Sequence, residues 1–594
     1  MRIGLLAEGG PPYADGATGL WCDRLVRGLE QHEFTVYALD RDARREVARP
    51  CPLPAQVRAV HTAPLWTPAE ENAGYRRRGR RRFTDAYTEL AEALCAPRPG
   101  PGPIEPTRSS PQADRFSNAL YALAELAREL GPPGALFRSE PAVRALERAG
   151  RSPGAPLPVR AARVTDLLTV ADRLERALRP LALDWYDEGL GRVDVAHATT
   201  GGPAALAGLI ARHFFGTPLL LTEYGAQLRA HHLEFGPDHR PEGQRPEPAP
   251  QARHETPGAA PVRALLGAFH GLLAAETYRR ADVITSGNAQ TRRWQEHCGA
   301  DRATLRTVHP GQDAAPFAEV GESGDGGEPG TLVWVGRIEP AKDLVCLLHA
   351  FAEIRRAEST ARLRIIALPD PRDSGGDPEP GAQSGCGTGT AGGPAEADGY
   401  PAQCRALAAQ LFPDEADGRH SIGANPVSFE ELGGPEAPDL AEVYAGAGVV
   451  VLSSVIEGFP TGLVDAMFCG RATVSTDAGA VVEVIGGTGL VVPPRNPKAL
   501  AEACLSLLRD PGRRGLLGAA ARARALELFT VEQNVMAFHG IYLDLVSHSP
   551  ARPIEPAQPF ALPAEARLPV PWRPEPALPS WTAQPAPEPA EAIR

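Results

Sequence analysis

The sequence has very little lysine, no paired cysteines and no long apolar segment. Its only lysines are Lys342 and Lys498, so each stands out in a chain whose other basic residues are arginine. The nine cysteines are scattered, and no two have Cys-x-x-Cys spacing. This argues against a disulfide framework or a zinc site and predicts a reducing cytoplasm. No run approaches the roughly 18 apolar residues that a membrane-spanning helix needs.

The net charge of −12 argues against non-specific nucleic-acid binding as the main activity. The length of 594 residues exceeds what one hydrophobic core supports, because chains beyond about 250–300 residues divide into domains. Two large domains are therefore expected.

Alternating strand and helix patterns predict two doubly wound α/β domains that face a cleft. The first starts with a buried strand, a Gly/Pro-rich loop and a helix. The second has the more regular pattern. The expected organisation is a first domain at 1–320 with a helical insertion at about 40–190, a linker at 321–330, a second domain at 331–532 with a flexible insertion at 370–399, a final helix at 533–548, and a disordered Pro/Ala-rich tail at 549–594.

Ligands of such sheets bind beyond the carboxyl ends of the strands, so motifs that directly follow a strand carry the chemistry. Arg337 ends a strongly apolar strand, and Lys342 follows five residues later at the start of a helix. Two cations beside a helix N-terminus favour a diphosphate site. The alternative is a pair of basic residues on a solvated loop.

A second motif, Glu457-Gly-Phe-Pro-Thr-Gly-Leu-Val-Asp465, follows the buried strand 448–452. Glu457 could accept hydrogen bonds from sugar hydroxyls, and Asp465, on one helix face with Thr461, from ribose hydroxyls. Free amides at Thr461, Gly462 and Leu463, at the helix start, would face an anion. The alternative is a helix-capping Glu and an exposed Asp. The predicted contact residues are Glu457, Gly458, Phe459, Thr461, Gly462, Leu463 and Asp465.

Other candidates have weaker signals. Glu483 follows a strand and a Gly turn, but a surface role explains it equally well. The segment 489–494 could lie beside a base or be an edge strand. In the first domain, Gly16 lies in the loop after the first strand, where glycine lets a backbone approach a ligand. His197 and Glu223 each follow a strand, although a structural role is as common for such residues.

The run 75–83, Tyr-Arg-Arg-Arg-Gly-Arg-Arg-Arg-Phe, carries six arginines in nine residues. It could bind an anionic membrane surface or a polyanionic acceptor, or it could be a solvated helix face.

Together these motifs resemble the retaining glycosyltransferases of family 4, which have the GT-B fold. The similar segments are Gly336-Arg337 with Lys342, Glu457-Gly-Phe-Pro with Asp465-Ala-Met, and Gly489-Leu-Val-Val-Pro-Pro. In the first half, the segments starting at Glu8, His197 and Thr222 resemble the subgroup of the Pel exopolysaccharide glycosyltransferase. The resemblance covers most of 1–545.

The resemblance implies a UDP-sugar donor, retention at the anomeric carbon, and neither metal nor cofactor. It assigns the diphosphate to Arg337 and Lys342, the donor sugar to Glu457 and the ribose to Asp465. The last helix would cross back to the first domain. The chain departs from the pattern at Asp465, where the family has Glu, and at Tyr224, where the subgroup often has His. Where the subgroup often has Pro-Asn-Gly-x-Asp, the chain reads His309-Pro-Gly-Gln312-Asp313 and lacks the Asn near Gly311.

The resulting hypothesis is a cytoplasmic or peripherally membrane-bound GT-B enzyme that moves a hexose from UDP-glucose or a related UDP-sugar to a glycan or other hydroxyl acceptor. A contact with a synthase complex is also compatible with the sequence. Three alternatives stay open: a nucleotide-sugar epimerase, a catalytically weak nucleotide-sugar-binding subunit of a polysaccharide synthase, and an interaction protein acting through the arginine run and the tail.

Overall fold

A computed structural model of the chain describes residues 1–9, 17–40, 53–65, 75–97, 110–224, 259–324, 326–368, 394–412, 426–434, 437 and 439–549. Gly16, most of the expected insertion at 370–399 and nearly all of the expected tail lie outside these residues.

The N-terminal half is built on a seven-stranded parallel sheet in the order β3-β2-β1-β4-β5-β6-β7. Its strands are buried apolar runs, as expected when helices cover both faces of a parallel sheet. The strands are β1 Arg2–Glu8, β2 Glu33–Asp40, β3 Val57–Pro64, β4 Val195–Ala198, β5 Leu219–Glu223, β6 Val283–Ser286 and β7 Leu305–Thr307.

Helices surround this sheet and form a helical elaboration between β3 and β4. They are Ala17–Gly28, Arg77–Cys95, Pro111–Leu130, Glu140–Gly150, Leu157–Arg160, Val164–Ala177, Pro203–Phe215, Ala259–Arg280 and Ala289–His297, with short 3-10 or π turns at Gly134–Arg138, Arg179–Ala182 and Tyr186–Leu190.

The sequence-based boundary of the insertion was wrong at its start. β3 lies inside the range 40–190 and pairs with β2 from Phe34↔Val57 to Asp40↔Pro64. It is an edge strand in which every side chain except that of Ala63 is partly buried or exposed, so it has no continuous apolar run to mark it. The helical elaboration therefore begins only after β3.

The C-terminal half contains a six-stranded parallel sheet in the order β10-β9-β8-β11-β12-β13. β8 and β11 are neighbours at its centre, so their carboxyl ends meet at one edge. The strands are β8 Glu328–Gly336, β9 Arg362–Ala367, β10 Val427–Glu431, β11 Ala447–Leu452, β12 Ala472–Thr476 and β13 Leu490–Val492.

The helices of this half begin in the connection that precedes β8. They are Ala318–Glu322, Leu344–Ala357, Pro394–Leu411, Leu440–Ala445, Thr461–Phe468, Val481–Ile485, Pro497–Leu508, Pro511–Leu528 and Val531–His548, with 3-10 turns at Ala315–Phe317 and Pro340–Lys342. The helix that starts at Pro394 takes in the last residues of the expected insertion at 370–399.

The last helix, Val531–His548, packs against the N-terminal sheet. Its buried Phe538, Tyr542 and Leu545 share one hydrophobic cluster with Ile3 and Leu5 of β1. In the part of the chain that the structure describes, no helix is long and apolar enough to cross a membrane.

Candidate active site

An ion pair lies where the carboxyl ends of β8 and β11 meet. Lys342 Nζ is 2.7 Å from Glu457 Oε2, with only 19% and 10% of the two side chains exposed. Lys342 ends the 3-10 turn Pro340–Lys342, and Glu457 lies in the loop after β11. The structure therefore brings two residues of separate predicted motifs into direct contact.

Ser454 fixes the same carboxylate oxygen. Its buried hydroxyl donates to Glu457 Oε2 at 2.8 Å, and its carbonyl accepts from Thr476 Oγ1 at 2.6 Å. Oε2 thus receives two donors, whereas Oε1 has no hydrogen-bond partner among the described residues. The carboxylate is held in one orientation with one oxygen available to a ligand.

Backbone contacts lock the loops that carry the pair. The Ala341 carbonyl accepts from the amides of Val455 (2.9 Å) and Ile456 (3.2 Å). Ser453 Oγ donates to the Lys342 carbonyl at 2.7 Å. These bonds set the spacing of the two functional side chains independently of the ion pair itself.

The backbone of Gly479 lies close to the backbone of the loop that carries Glu457. Gly479 has φ +59°, and a Cβ added there would lie 2.1 Å from the Glu457 carbonyl oxygen. The next amide, Ala480 N, donates to the Gly458 carbonyl at 3.1 Å. Only glycine permits both the left-handed backbone and this contact.

Arg337 follows β8 and is exposed. Within the described residues it has no hydrogen bond or ion pair. Its guanidinium is therefore a cation available at the same sheet edge as Lys342, which is already paired.

The helix Thr461–Phe468 offers fewer free amides than expected. Thr461 N donates to the Phe459 carbonyl (3.0 Å) and Leu463 N to the Pro460 carbonyl (3.1 Å), because the chain turns tightly into the helix at Pro460. Of the three amides predicted to face an anion, only that of Gly462 lacks a partner among the described residues. Pro460 is the N-cap of this helix.

Asp465 lies on the second turn of that helix, in a less polar environment than an exposed aspartate. Burial raises its pKa to about 7, and the positive charge of Arg24 from the N-terminal half opposes this shift. Arg24 Nη1 also donates to the Gly311 carbonyl at 3.1 Å. The expected alternative of a fully exposed Asp is therefore wrong.

Because the pKa of Asp465 is raised in the folded protein, the free energy of unfolding depends on pH through this residue. Between about pH 4 and pH 7, Asp465 keeps its proton in the folded protein but has lost it in the unfolded chain. The free energy of unfolding therefore decreases as the pH rises through that range. Above pH 7 the carboxylate is ionised in both states, and the free energy of unfolding decreases no further. We expect Asp465→Asn to raise the free energy of unfolding by about 1–3 kcal/mol at pH 8 and to change it little at pH 4.

Denaturant unfolding at the two pH values measures this difference. Asp477→Asn, which changes an exposed aspartate of the same domain, is the control. A similar gain at pH 8 from both variants would contradict a special environment at Asp465.

Glu483 links the two halves of the protein. Its Oε2 accepts from Ala289 N at 2.6 Å, at the start of the helix Ala289–His297. His309 Nε2 is 4.0 Å from its other oxygen and Nδ1 contacts the Gly287 carbonyl at 2.9 Å. The structure thus places Glu483 at a junction between the sheets, together with Phe459, whose ring is 6.1 Å from that of His309.

His197 lies inside β4, not after it as expected, and is fully buried. Its Nδ1 contacts Tyr542 Oη and its Nε2 contacts Thr222 Oγ1, both at 2.7 Å. Burial lowers its pKa to about 3, so the ring stays neutral. With both nitrogens engaged, His197 is a core residue here and does not face a ligand.

Glu223 is likewise the last residue of β5 rather than a loop residue. It is buried and accepts at Oε2 from Tyr278 Oη (2.7 Å) and Gln295 Nε2 (3.0 Å). Burial raises its pKa, and these two hydrogen bonds act in the opposite direction. The placement again indicates a structural role in the N-terminal half.

Two departures from the family pattern meet at the start of the last helix. Asn534 donates to Tyr224 Oη (2.9 Å) and accepts from Trp21 Nε1 (3.0 Å). Gln312 exchanges backbone hydrogen bonds with Phe529 and Val531 (2.8 and 3.1 Å). The changes at positions 224 and 312 therefore affect how the two halves are joined and do not touch the Lys342–Glu457 pair.

Sequence reasoning missed Ser454, Gly479 and Arg24. Ser454 had a usable signal, because Ser453-Ser454 follows an otherwise apolar strand directly at the sheet edge. Gly479 lay in a recognised Gly turn, but its contact with the Glu457 backbone depends on the fold.

Removing the Ser454 hydroxyl tests its effect on Glu457. We expect Ser454→Ala to lower kcat about tenfold with little change in KM, because the carboxylate loses one of two fixed donors while the ion pair remains. Steady-state kinetics and the melting temperature should be measured together, and Ser454→Thr should restore part of kcat. An equal change in kcat and stability for both variants would indicate a purely structural role.

The C-terminal half therefore has a six-stranded parallel sheet with this ion pair at its carboxyl edge, and it is joined to a second parallel sheet. Residues 421–510 match the family described as glycosyl transferases group 1. Residues 1–303, just over half of the chain, match the family described as Domain of unknown function (DUF3492), and the chain belongs to that family.

The curated relatives that this chain matches are named as glycosyltransferases. The chain is 30% identical over 262 residues to the D-inositol 3-phosphate glycosyltransferase of Kineococcus radiotolerans, a match that covers 41% of this chain and 52% of that protein. The corresponding protein of Streptomyces bingchenggensis is 27% identical over 315 residues, or 51% and 57% of the two chains. The chain thus spans about half the length of the curated relatives it matches.

Solved structures with a similar backbone include sucrose-phosphate synthase from Thermosynechococcus elongatus, with a TM-score of 0.49, 16% identity and coverage of 92% of this chain and 100% of that chain. The Anabaena protein HepE in complex with UDP and glucose has a TM-score of 0.47 and 13% identity, with the same coverage.

Proposed function

We propose that this protein is a retaining glycosyltransferase that moves a hexose from a UDP-sugar, UDP-glucose or a close relative, to a hydroxyl group of a glycan or other acceptor. The observation that carries the proposal is the ion pair of Lys342 and Glu457 at the carboxyl edge of the C-terminal sheet, with Arg337, which has no partner among the described residues, at the end of β8 on the same edge. The group 1 glycosyltransferase match and the family-4 motifs support it.

Departure of the diphosphate is the step that these charges assist. As the bond between the anomeric carbon and the phosphate oxygen breaks, negative charge grows on the UDP leaving group. Arg337, Lys342 and the Gly462 amide stabilise that charge as donors at the carboxyl edge of the sheet.

Glu457 orients the sugar through Oε1, the carboxylate oxygen left free by Lys342 and Ser454. The acceptor oxygen forms the new bond on the face that the phosphate leaves, and the departing phosphate oxygen takes the acceptor proton. Atoms and charge balance, and the configuration at the anomeric carbon is retained.

The finer assignment is to the subgroup of the Pel exopolysaccharide glycosyltransferase. Its support is the sequence of the first domain around Glu8, His197 and Thr222. On this proposal the acceptor is a growing polysaccharide, and the protein works in the cytoplasm with a polysaccharide synthase.

Incubation of the purified protein with a panel of UDP-sugars tests the activity. Release of UDP that depends on an added glycan acceptor, with product mass and anomeric configuration read by mass spectrometry and NMR, would support retaining transfer. Interconversion of the sugar without acceptor would identify an epimerase, and UDP-sugar binding without turnover would identify a silent subunit.

Arg337→Ala should weaken UDP binding at least tenfold, and an unchanged affinity would remove Arg337 from the diphosphate site.

A further inference from the structure

Glu483 is fixed to the C-terminal half by its backbone. Its carbonyl accepts from Arg524 Nη2 at 2.8 Å, and the carbonyl of Val484 accepts from Arg524 Nε at 2.9 Å. The short helix that carries Glu483, Val481–Ile485, buries Val484 and Ile485 in the hydrophobic core of the same half. The side chain of Glu483 therefore projects from a firmly anchored backbone.

That side chain makes its short contact with the other half of the protein. Its Oε2 accepts from Ala289 N at 2.6 Å, and Ala289 is the first residue of the helix Ala289–His297, which follows β6. The amide of Thr291 in the same first turn is capped locally by Asn288 Oδ1 at 2.8 Å. The carboxylate also lies at the positive end of this helix, where the helix dipole favours an anion. One charge-assisted hydrogen bond thus joins the segments that follow β12 and β6, at the carboxyl ends of the two sheets.

His309 is fixed between these two segments. Its Nδ1 donates to the Gly287 carbonyl at 2.9 Å, since a carbonyl oxygen can only accept, and its Nε2 is 4.0 Å from Glu483 Oε1. The carbonyl of His309 accepts from Asn534 Nδ2 at 2.7 Å. His309 therefore contacts the N-terminal half, the last helix and Glu483 at the place where the chain passes from β7 to the C-terminal half.

An aromatic cluster connects His309 to the loop that carries Glu457. The ring centroid of His309 is 6.1 Å from that of Phe459 and 5.0 Å from that of Phe529, and the two phenylalanine rings are 5.7 Å apart. Phe459 belongs to the same loop as Glu457. Because packed side chains move together, a shift of His309 relative to the C-terminal half displaces the Glu457 loop through these rings.

We propose that Glu483 is a positioning residue for sugar transfer. Its hydrogen bond to Ala289 holds the two halves in the arrangement in which the Glu457 loop is productive. A hydrogen bond to a charged group shifts an equilibrium between two arrangements about 10- to 100-fold. Such a bias favours one arrangement and still lets the halves separate when substrate enters and product leaves.

This role differs from a direct contact with the donor. The groups proposed to bind the diphosphate, on Arg337, Lys342 and Gly462, all belong to the C-terminal half, so a change at the junction leaves them in place. The inference rests on the proposed transferase function for its effect on the rate. The arrangement of the two halves can be measured without turnover.

Three variants of the full chain test the proposal. Glu483→Ala removes the acceptor for the Ala289 amide, and Glu483→Gln keeps an oxygen of the same reach without the charge. The control is Glu502→Ala, which changes an exposed glutamate on the helix Pro497–Leu508 of the same half. Small-angle X-ray scattering gives the radius of gyration, titration calorimetry the affinity for UDP, and steady-state assays kcat and KM with UDP-glucose and a glycan acceptor.

We expect Glu483→Ala to have a larger radius of gyration and a kcat/KM for the acceptor about tenfold lower, with UDP affinity within about twofold of that of the unmodified protein. Glu483→Gln should lose less than Glu483→Ala in both respects, because it retains the hydrogen bond. Glu502→Ala should match the unmodified protein. Melting temperatures verify that the variants fold, and if Glu483→Ala does not, Glu483→Gln and Glu502→Ala give the same comparison.

Two results would overturn the proposal. An unchanged radius of gyration in a folded Glu483→Ala would show that the contact does not hold the halves together. A loss of UDP affinity as large as the loss of transfer would place Glu483 in the donor site. Absence of transfer in the unmodified protein would contradict the proposed function instead, and the scattering comparison alone would then decide whether Glu483 fixes the arrangement of the halves.

Discussion

Replacing Glu457 by glutamine should abolish sugar transfer while raising the affinity for UDP. Glutamine keeps the size of the side chain and can still accept a hydrogen bond at its oxygen, but it has no charge. The carboxylate that orients the sugar is lost, and we expect kcat to fall about 100- to 1,000-fold.

The gain in UDP affinity follows from the ion pair. In the structure the ammonium of Lys342 is held by Glu457 at 2.7 Å, so part of its positive charge is already neutralised when the nucleotide arrives. Glutamine releases Lys342 to the diphosphate. A few-fold tighter binding of UDP is expected, of the order that an ion pair in a partly exposed site contributes.

Two measurements separate the roles. Isothermal titration gives UDP affinity for Glu457→Gln and for Lys342→Met, which should change in opposite directions. Turnover should be lost in both. Glu339→Gln, a neighbouring carboxylate with no hydrogen-bond or ion-pair partner among the described residues, is the control and should change neither. Weaker UDP binding in Glu457→Gln would mean that the carboxylate does not compete for Lys342 and that the ion pair acts only on the loop structure.

The sequence predicted the sheet edge well because strand ends are a local signal. Apolar runs followed by Arg337 and by Glu457 place both residues at the carboxyl edge of a parallel sheet, and the structure has them after β8 and β11. The same logic failed for His197, which lies within β4: the polar residue looked like a strand end but is paired in the core with Tyr542.

Contacts between distant segments could not be read from local patterns. Trp21 and Asn534 are 513 positions apart and share a buried hydrogen bond. Glu483 accepts a hydrogen bond from the amide of Ala289, and this contact exists only because the two sheets are joined. Residues whose partners lie on another element, such as Ser454 and Gly479, are therefore the ones that sequence reasoning missed.

Replacing Gly479 by alanine tests whether the position of the Glu457 backbone controls the reaction. At φ +59° an alanine is strained, and its Cβ would lie 2.1 Å from the Glu457 carbonyl oxygen. This contact is with backbone, so rotation of a side chain cannot relieve it. The Glu457 loop must move by about 1 Å, and a displacement of that size at a reacting group can lower the rate about 100-fold.

Gly216→Ala is the matched control. Gly216 has a similar φ of +64° but nothing within 4 Å of the added Cβ. Both variants should lose about 1–2 kcal/mol from backbone strain, and Gly479→Ala a further 1–3 kcal/mol from overpacking. Only Gly479→Ala should lose transfer. Melting temperature and UDP release measure the two effects, and full activity in a stably folded Gly479→Ala would show that the position of the Glu457 backbone does not control the reaction.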